Sequence, residues 1–178
     1  MFETSVRYAP PARWLHWLTA ALVLVAIFFG LWIKYFEPHD EPFKLRLYNI
    51  HESIGFVIFF VVLIRLLYRW RHPAPPLPFD TPPAIRVAAH VSHAALYALL
   101  VIMPILGFMA TNAWGFPLKV FDVLPIPAPY GKNEALAKTL SFLHLCGAIA
   151  LISVIGAHLM GVIYHTFIRR DRLIHRML

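Results

Sequence analysis

The sequence is poor in charge. Only 14% of its 178 residues are Asp, Glu, Lys or Arg, against roughly 25% in a soluble domain. A water-soluble fold of this size needs a far more polar surface, so a soluble two-domain enzyme and a disordered chain are both excluded. Cysteine is nearly absent. A single thiol, Cys146, cannot close an internal disulfide, which excludes a secreted disulfide scaffold. Nor can it furnish the four thiolates of an ordinary iron–sulfur cluster. No Cys-x-x-Cys-His run is present, so haem attached covalently in the c-type manner is excluded as well. The sequence also lacks a P-loop, a Gly-x-Gly-x-x-Gly run and an internal repeat, and it shows no catalytic triad or paired-carboxylate site.

What fills the chain is apolar. Hydrophobic residues make up 60%, and the mean hydropathy is +0.66. Four long apolar stretches, at about 14–35, 48–70, 85–113 and 140–168, are each bounded by charge or proline. All exceed the 10–14 residues of a buried core helix, and about 20 residues suffice to cross a ~30 Å hydrocarbon core. The first is too long for a signal-peptide core and lacks a small-residue cleavage site, so it is read as a retained span. The expectation is an all-α integral membrane four-helix bundle forming one domain over residues 1–178. Proline gathers in the connectors, at 73–83 (PAPPLPFDTPP) and 117–129, where it stiffens and extends the chain. Pro104 alone lies inside a span, which it should kink. The tryptophans sit near span ends, as in an interfacial aromatic belt.

The net charge of +7 and the pI near 9.9 could point to nucleic acid. Their distribution argues otherwise. Four spans place both termini and the 69–86 connector on one side. Ten arginines there, Arg172 among them, face only Glu3, Asp80 and Asp171, a balance of +7. The other side carries six cations and six acids, Glu37 included, and sums to zero. The positive-inside rule assigns the basic side and both termini to the cytoplasm. The basic residues therefore flank spans and face anionic headgroups. The partner is a lipid bilayer, not nucleic acid.

Ten histidines are present, and seven lie within or at the edge of the spans: His16, His51, His90, His93, His144, His158 and His165. An ionisable group in hydrocarbon is costly unless paired. One such histidine is readily satisfied by a backbone carbonyl. A set spread over four helices points to a site. His144 and His158 are 14 residues apart, about 40° short of four full turns and about 21 Å along the axis, so both face one way. That spacing suits two haems stacked across a bilayer, each taking its second axial ligand from another helix. His51 lies five residues from Arg46 and His144 six from Lys138, both about 8–9 Å inside the outer charges, which makes them an outer pair. On the inner side depth leaves His16 with either His158 or His165, and His90 and His93 lie near the same end. Gly55, Gly147, Gly156, Ala157 and Gly161 flank these histidines and are compatible with a flat macrocycle, though glycine is also common where membrane helices meet. Cys146 is read as inert apolar core.

Four motifs together carry a resemblance: Arg-Trp-Leu-His-Trp (13–17), Asn-Ile-His-Glu-Ser-Ile-Gly (49–55), His-Val-Ser-His-x-x-x-Tyr (90–97) and the His144/His158 spacing. In order and spacing they resemble the bacterial cytochrome b561 family of four-helix di-haem membrane proteins, over essentially the whole chain. The resemblance implies two haem b groups, with His16 and His158 on the inner iron and His51 and His144 on the outer. It implies a multi-pass protein of the bacterial inner membrane that exchanges electrons with ubiquinone. Bis-histidine iron has no open position and favours outer-sphere electron transfer. Within the family the chain looks most like the superoxide oxidases, in which superoxide at the outer, periplasmic face gives its electron onward to ubiquinone. Lys44, Arg46 and Lys138 are then candidates to steer the anion or to bind haem propionates. Arg13, His90, His93 and His165 are candidates for a quinone site or propionate contacts. His90 and His93 share one helical face and could relay the protons that quinone reduction consumes. The alternative function is a cytochrome b carrier that docks a dehydrogenase or hydrogenase as redox protein partner.

Overall fold

The structure, a computed structural model, describes residues 7–36, 39–171 and 173–178. Glu3, Glu37 and Arg172, counted above among the charges, lie outside the described residues. Four long helices account for the spans: α1 (Pro10–Phe36), α2 (Glu41–Arg71), α3 (Pro83–Trp114) and α4 (Glu134–Ile163). Each is long and apolar enough to cross a membrane. All four begin before their apolar runs, because local chemistry sets the starts. Two prolines open α1, where a missing N–H costs nothing. Asp40 caps α2 by accepting from Phe43 N at 3.0 Å, and Asn133 caps α4 by accepting from Leu136 N at 3.0 Å. Glu41 and Glu134 then place negative charge in the first turns. At its far end α3 stops on Gly115, whose φ of +94° is a left-handed cap open to glycine. It runs through Pro104 without a break. The end of α4 passes into a π-helical turn, Tyr164–Arg169, that stops on a left-handed Arg170.

The helices pack in sequence, α1 on α2, α2 on α3 and α3 on α4, while α1 and α4 scarcely meet. Val23, Ile54, Ile58, Val62, Leu100, Met103 and Leu151 form the central core. Ala110, Ala113, Ala137 and Leu140 let α3 and α4 approach closely toward one end. Large apolar residues such as Leu24, Phe28, Ile64 and Ile149 stand exposed on the outside, as a lipid-facing surface requires.

Both chain ends and the 73–82 connector meet at one end of the bundle, the inner end. Tyr8 N donates to Arg176 O at 3.1 Å, Trp17 Nε1 to Met177 O at 2.8 Å and Arg176 Nη1 to Pro76 O at 2.7 Å. Arg169 pairs with Asp80 at 2.6 Å. At the opposite, outer end the connector between α3 and α4 folds into a small antiparallel ladder, β1 (Lys119–Val120) with β2 (Leu124–Pro125). Among the described residues this ladder is the departure from the all-helical expectation. It is tied down from α2. Asn49 Nδ2 donates to Lys119 O at 2.7 Å, and Phe121 N donates to Ser53 Oγ at 2.8 Å.

Candidate functional site

The outer half of the bundle encloses a cavity of about 470 Å³, walled by all four helices and roofed by Leu118 and Ile126 of the connector. Its lining is almost wholly apolar, with His51 and His144 facing in from α2 and α4. Their ring centres are 6.2 Å apart and their planes nearly perpendicular. Two imidazole nitrogens about 2 Å on either side of one metal ion, each about 1 Å from its ring centre, give about 6 Å. The outer pair therefore stands at the spacing of two axial ligands on one ion.

Each ring is fixed by the same device. His51 Nδ1 donates to Ala26 O at 3.0 Å, and His144 Nδ1 donates to Met103 O at 3.2 Å. A carbonyl partner fixes the proton on Nδ1 and leaves the Nε2 lone pair free for a metal. Four residues after each acceptor comes a glycine. A Cβ on Gly30 would stand 3.1 Å from His51 Cε1, and one on Gly107 would stand 3.1 Å from His144 Cε1. Each ring thus lies against bare backbone. Neither glycine was singled out by sequence. The available signal was a glycine in the middle of an apolar span facing a histidine-bearing helix. Of the glycines that were singled out, Gly55 lines the cavity. A Cβ at Gly147 would overlap Met103 Sδ, and Gly156 and Gly161 have open space.

The charged residues on the cavity lining are Lys34 and Glu52. Sequence reasoning counted both only as outer charges. The expected steering cations lie elsewhere. Lys138 pairs with Glu134 at 2.7 Å on an exposed face, Lys44 is half-buried in the first turn of α2, and Arg46 is exposed.

A second histidine group occupies the inner half. The rings of His93 and His158 are 5.3 Å apart. His16 shares its charge environment with Arg65, His158 and His93, and Arg65 Nη2 lies 2.9 Å from His16 Nδ1. Of the two inner candidates left open by depth, His158 joins this group. His165 is bound instead to Asp171 at 2.6 Å, in a knot that Arg169 extends to Asp80. His90 is exposed and donates to Arg86 O at 2.6 Å within its own helix. Arg13, one turn before His16, has a buried Nε with no hydrogen-bond partner. Cys146 is exposed on the outside of α4, not in the core.

Among the described residues no three His, Cys, Asp or Glu side chains converge on one point. An ion held by His51 and His144 would therefore take its remaining ligands from outside the described side chains, as the iron of a haem does. The donor set, the spacing and the apolar cavity fit a b-type haem.

The family model described as prokaryotic cytochrome b561 matches residues 7–178. Cytochrome b561 homolog 2 of Escherichia coli (strain K12) is 32% identical over 177 residues, covering 99% of this chain and 93% of that protein. The probable superoxide oxidase CybB of Yersinia pestis is 30% identical over 164 residues, covering 92% of this chain and 91% of its own. Cytochrome b561 homolog 1 of Escherichia coli (strain K12) is 27% identical over 97% of each chain. The chain belongs to the prokaryotic cytochrome b561 family, and is a multi-pass membrane b-type cytochrome of electron transfer.

Proposed function

We propose that this cytochrome is a superoxide:ubiquinone oxidoreductase of the bacterial inner membrane, with two haem b groups. The likeness to a probable superoxide oxidase over nearly the whole chain supports the reaction class. The observation that carries the haem assignment is the outer pair, two carbonyl-fixed imidazoles 6.2 Å apart in an apolar cavity. His51 and His144 hold the outer haem, and His16 and His158 hold the inner one. Held between two imidazoles, haem iron supplies one-electron outer-sphere transfer without an open site for dioxygen.

The rest is the work of the chain's own groups. Two superoxide anions each give up one electron and leave as dioxygen. Ubiquinone takes both electrons with two protons and leaves as ubiquinol. Lys34, on the lining of the outer cavity, is the cation that meets the arriving anion, and Lys44 and Arg46 add positive potential at the outer end of the bundle, while the charge of Lys138 is answered by Glu134. Leu118 and Ile126, which flank the ladder, cover part of the apolar cavity, so contact is made through its edge. At the inner end His93, Arg13 and the neighbouring His90 bind quinone oxygens and pass protons from the cytoplasm; the buried, unpartnered Nε of Arg13 supports this reading. The excess positive charge orients the termini to that side.

Rapid mixing tests this function. Superoxide added to the oxidised protein in quinone-containing vesicles is expected to reduce the b-type α-band within the mixing time, and quinone is expected to reoxidise it. A protein reduced only by a dehydrogenase or hydrogenase partner would be an electron carrier instead. A purified protein without a b-type α-band would overturn the haem assignment itself.

A further inference from the structure

The hairpin of β1 and β2 turns through Phe121 and Asp122, both in left-handed backbone with φ of +47° and +59°. A tight turn of this hand asks for glycine or asparagine. Phenylalanine there is strained, and such strain persists only where the surroundings reward it. Yet half of Phe121 stands exposed, as does half of Leu124, and Val123 between them is 79% exposed. Three neighbouring apolar side chains are thus uncovered at the outer end of the bundle.

The hairpin rests on a face of α2 that elsewhere meets lipid. Asn49 and Ser53 tie it down, and Ser53 beneath it is 0% exposed. Ile64 follows Ser53 by 11 residues, so it lies within about 20° of the same face. It is 56% exposed. Leu67, about 40° to the other side, is exposed as well. The hairpin therefore covers the outer part of a stripe whose inner part is lipid-facing. Its level agrees with that. Asn49 and Ser53 lie three and seven residues beyond Arg46, about 4 and 10 Å inside that charge. That is the depth at which headgroups give way to acyl chains.

Backbone at this depth must find its hydrogen bonds within the protein. Asp122 N donates to Lys119 O and Val123 N to Val120 O, both at 3.0 Å, and Ile126 N donates to Leu118 O at 2.8 Å. Ser53 and Asn49 serve Phe121 N and Lys119 O. Lys119 and Asp122, both exposed, bring one charge of each sign, which a headgroup layer accommodates and a hydrocarbon interior does not.

We propose that this hairpin is seated in the lipid leaflet at the outer end, with Phe121, Val123 and Leu124 against lipid at the boundary of headgroups and acyl chains. The surface that meets lipid along the helices continues over the connector. The membrane then helps to hold Leu118 and Ile126, at the base of the hairpin, over the outer cavity.

The test is the accessibility of a nitroxide label on the full chain as purified, in nanodiscs of phosphatidylcholine and phosphatidylglycerol. Cys146 is replaced by serine, and the label is carried by Val123→Cys or, separately, by Leu124→Cys. Oxygen, which concentrates in lipid, is compared with a nickel chelate confined to water. Oxygen is expected to relax the label severalfold more than the chelate at both positions, as at the lipid-facing reference Ile64→Cys. His39→Cys, in the connector before α2, is the water-facing reference and is expected to show the reverse. Circular dichroism reports whether each labelled chain keeps its helices, and either position suffices if the other misfolds. An excess of the nickel chelate would mean a hairpin in water and would overturn the proposal. Low access to both reagents would mean that a protein partner or a second copy covers the patch, and would overturn it equally.

Discussion

Replacing Gly107 by alanine sets two effects of known size against each other. A Cβ at this position would stand 3.1 Å from His144 Cε1, so the ring must retreat by a few tenths of an ångström. Its hydrogen bond to Met103 O is already 3.2 Å long. A retreat of that size carries it to the edge of hydrogen-bonding distance. Losing such a bond costs about 0.5–1.5 kcal/mol, which is about twofold to tenfold in haem retention. Against this, alanine in a helix is favoured over glycine by about 1 kcal/mol. That gain acts on the helix whether or not haem is bound. Gly107→Ala should thus release haem to a scavenging apo-globin about twofold to tenfold faster, while α3 itself is no less stable by thermal denaturation of the haem-stripped chain. Gly30→Ala, which meets His51 Cε1 at the same 3.1 Å, should behave alike. Gly156→Ala supplies the control, since nothing lies within 4 Å of its Cβ and it faces away from His158 on the helix. Equal haem release from Gly107→Ala, Gly156→Ala and the parent would refute the view that bare backbone seats the ligand rings.

Removing one of the proposed ligands is a larger perturbation. His51→Ala or His144→Ala should each halve the haem bound per chain, read by pyridine haemochrome assay. Lys34→Gln should slow haem reduction by superoxide severalfold and flatten its dependence on salt, whereas Lys138→Gln, already paired with Glu134, should change it far less. Ser53→Ala leaves Phe121 N without its buried acceptor, a loss of about 1–3 kcal/mol. The expected result is faster proteolytic cleavage within 119–125, with the helices intact.

The helices were legible because each span is a long run of one chemistry, and hydropathy needs no partner to be read. Their starts were less so. Asp40 and Asn133 extend α2 and α4 outward through capping bonds that lie beyond the apolar runs. The small ladder was not foreseen, since two-residue strands carry no pattern, and its anchors Asn49 and Ser53 are some 70 residues away in sequence. The outer pair was legible from depth alone, because Arg46 and Lys138 mark the surface. The inner group was not, because Arg65 reads in sequence as one more flanking cation. Only the fold shows it reaching His16 on another helix. Gly30 and Gly107 were invisible for a related reason: a glycine's role depends on which ring faces it.

With scant direct contact between α1 and α4, the bundle is joined through three successive pairs, α1 with α2, α2 with α3 and α3 with α4. Both α1 and α4 line the cavity that His51 and His144 face. A macrocycle bound there would touch the first and last helices, and its binding energy would add to the stability of the folded chain. The unloaded chain is correspondingly the species most open to proteases, so the amount of mature cytochrome would track the supply of haem as closely as the rate of its own synthesis.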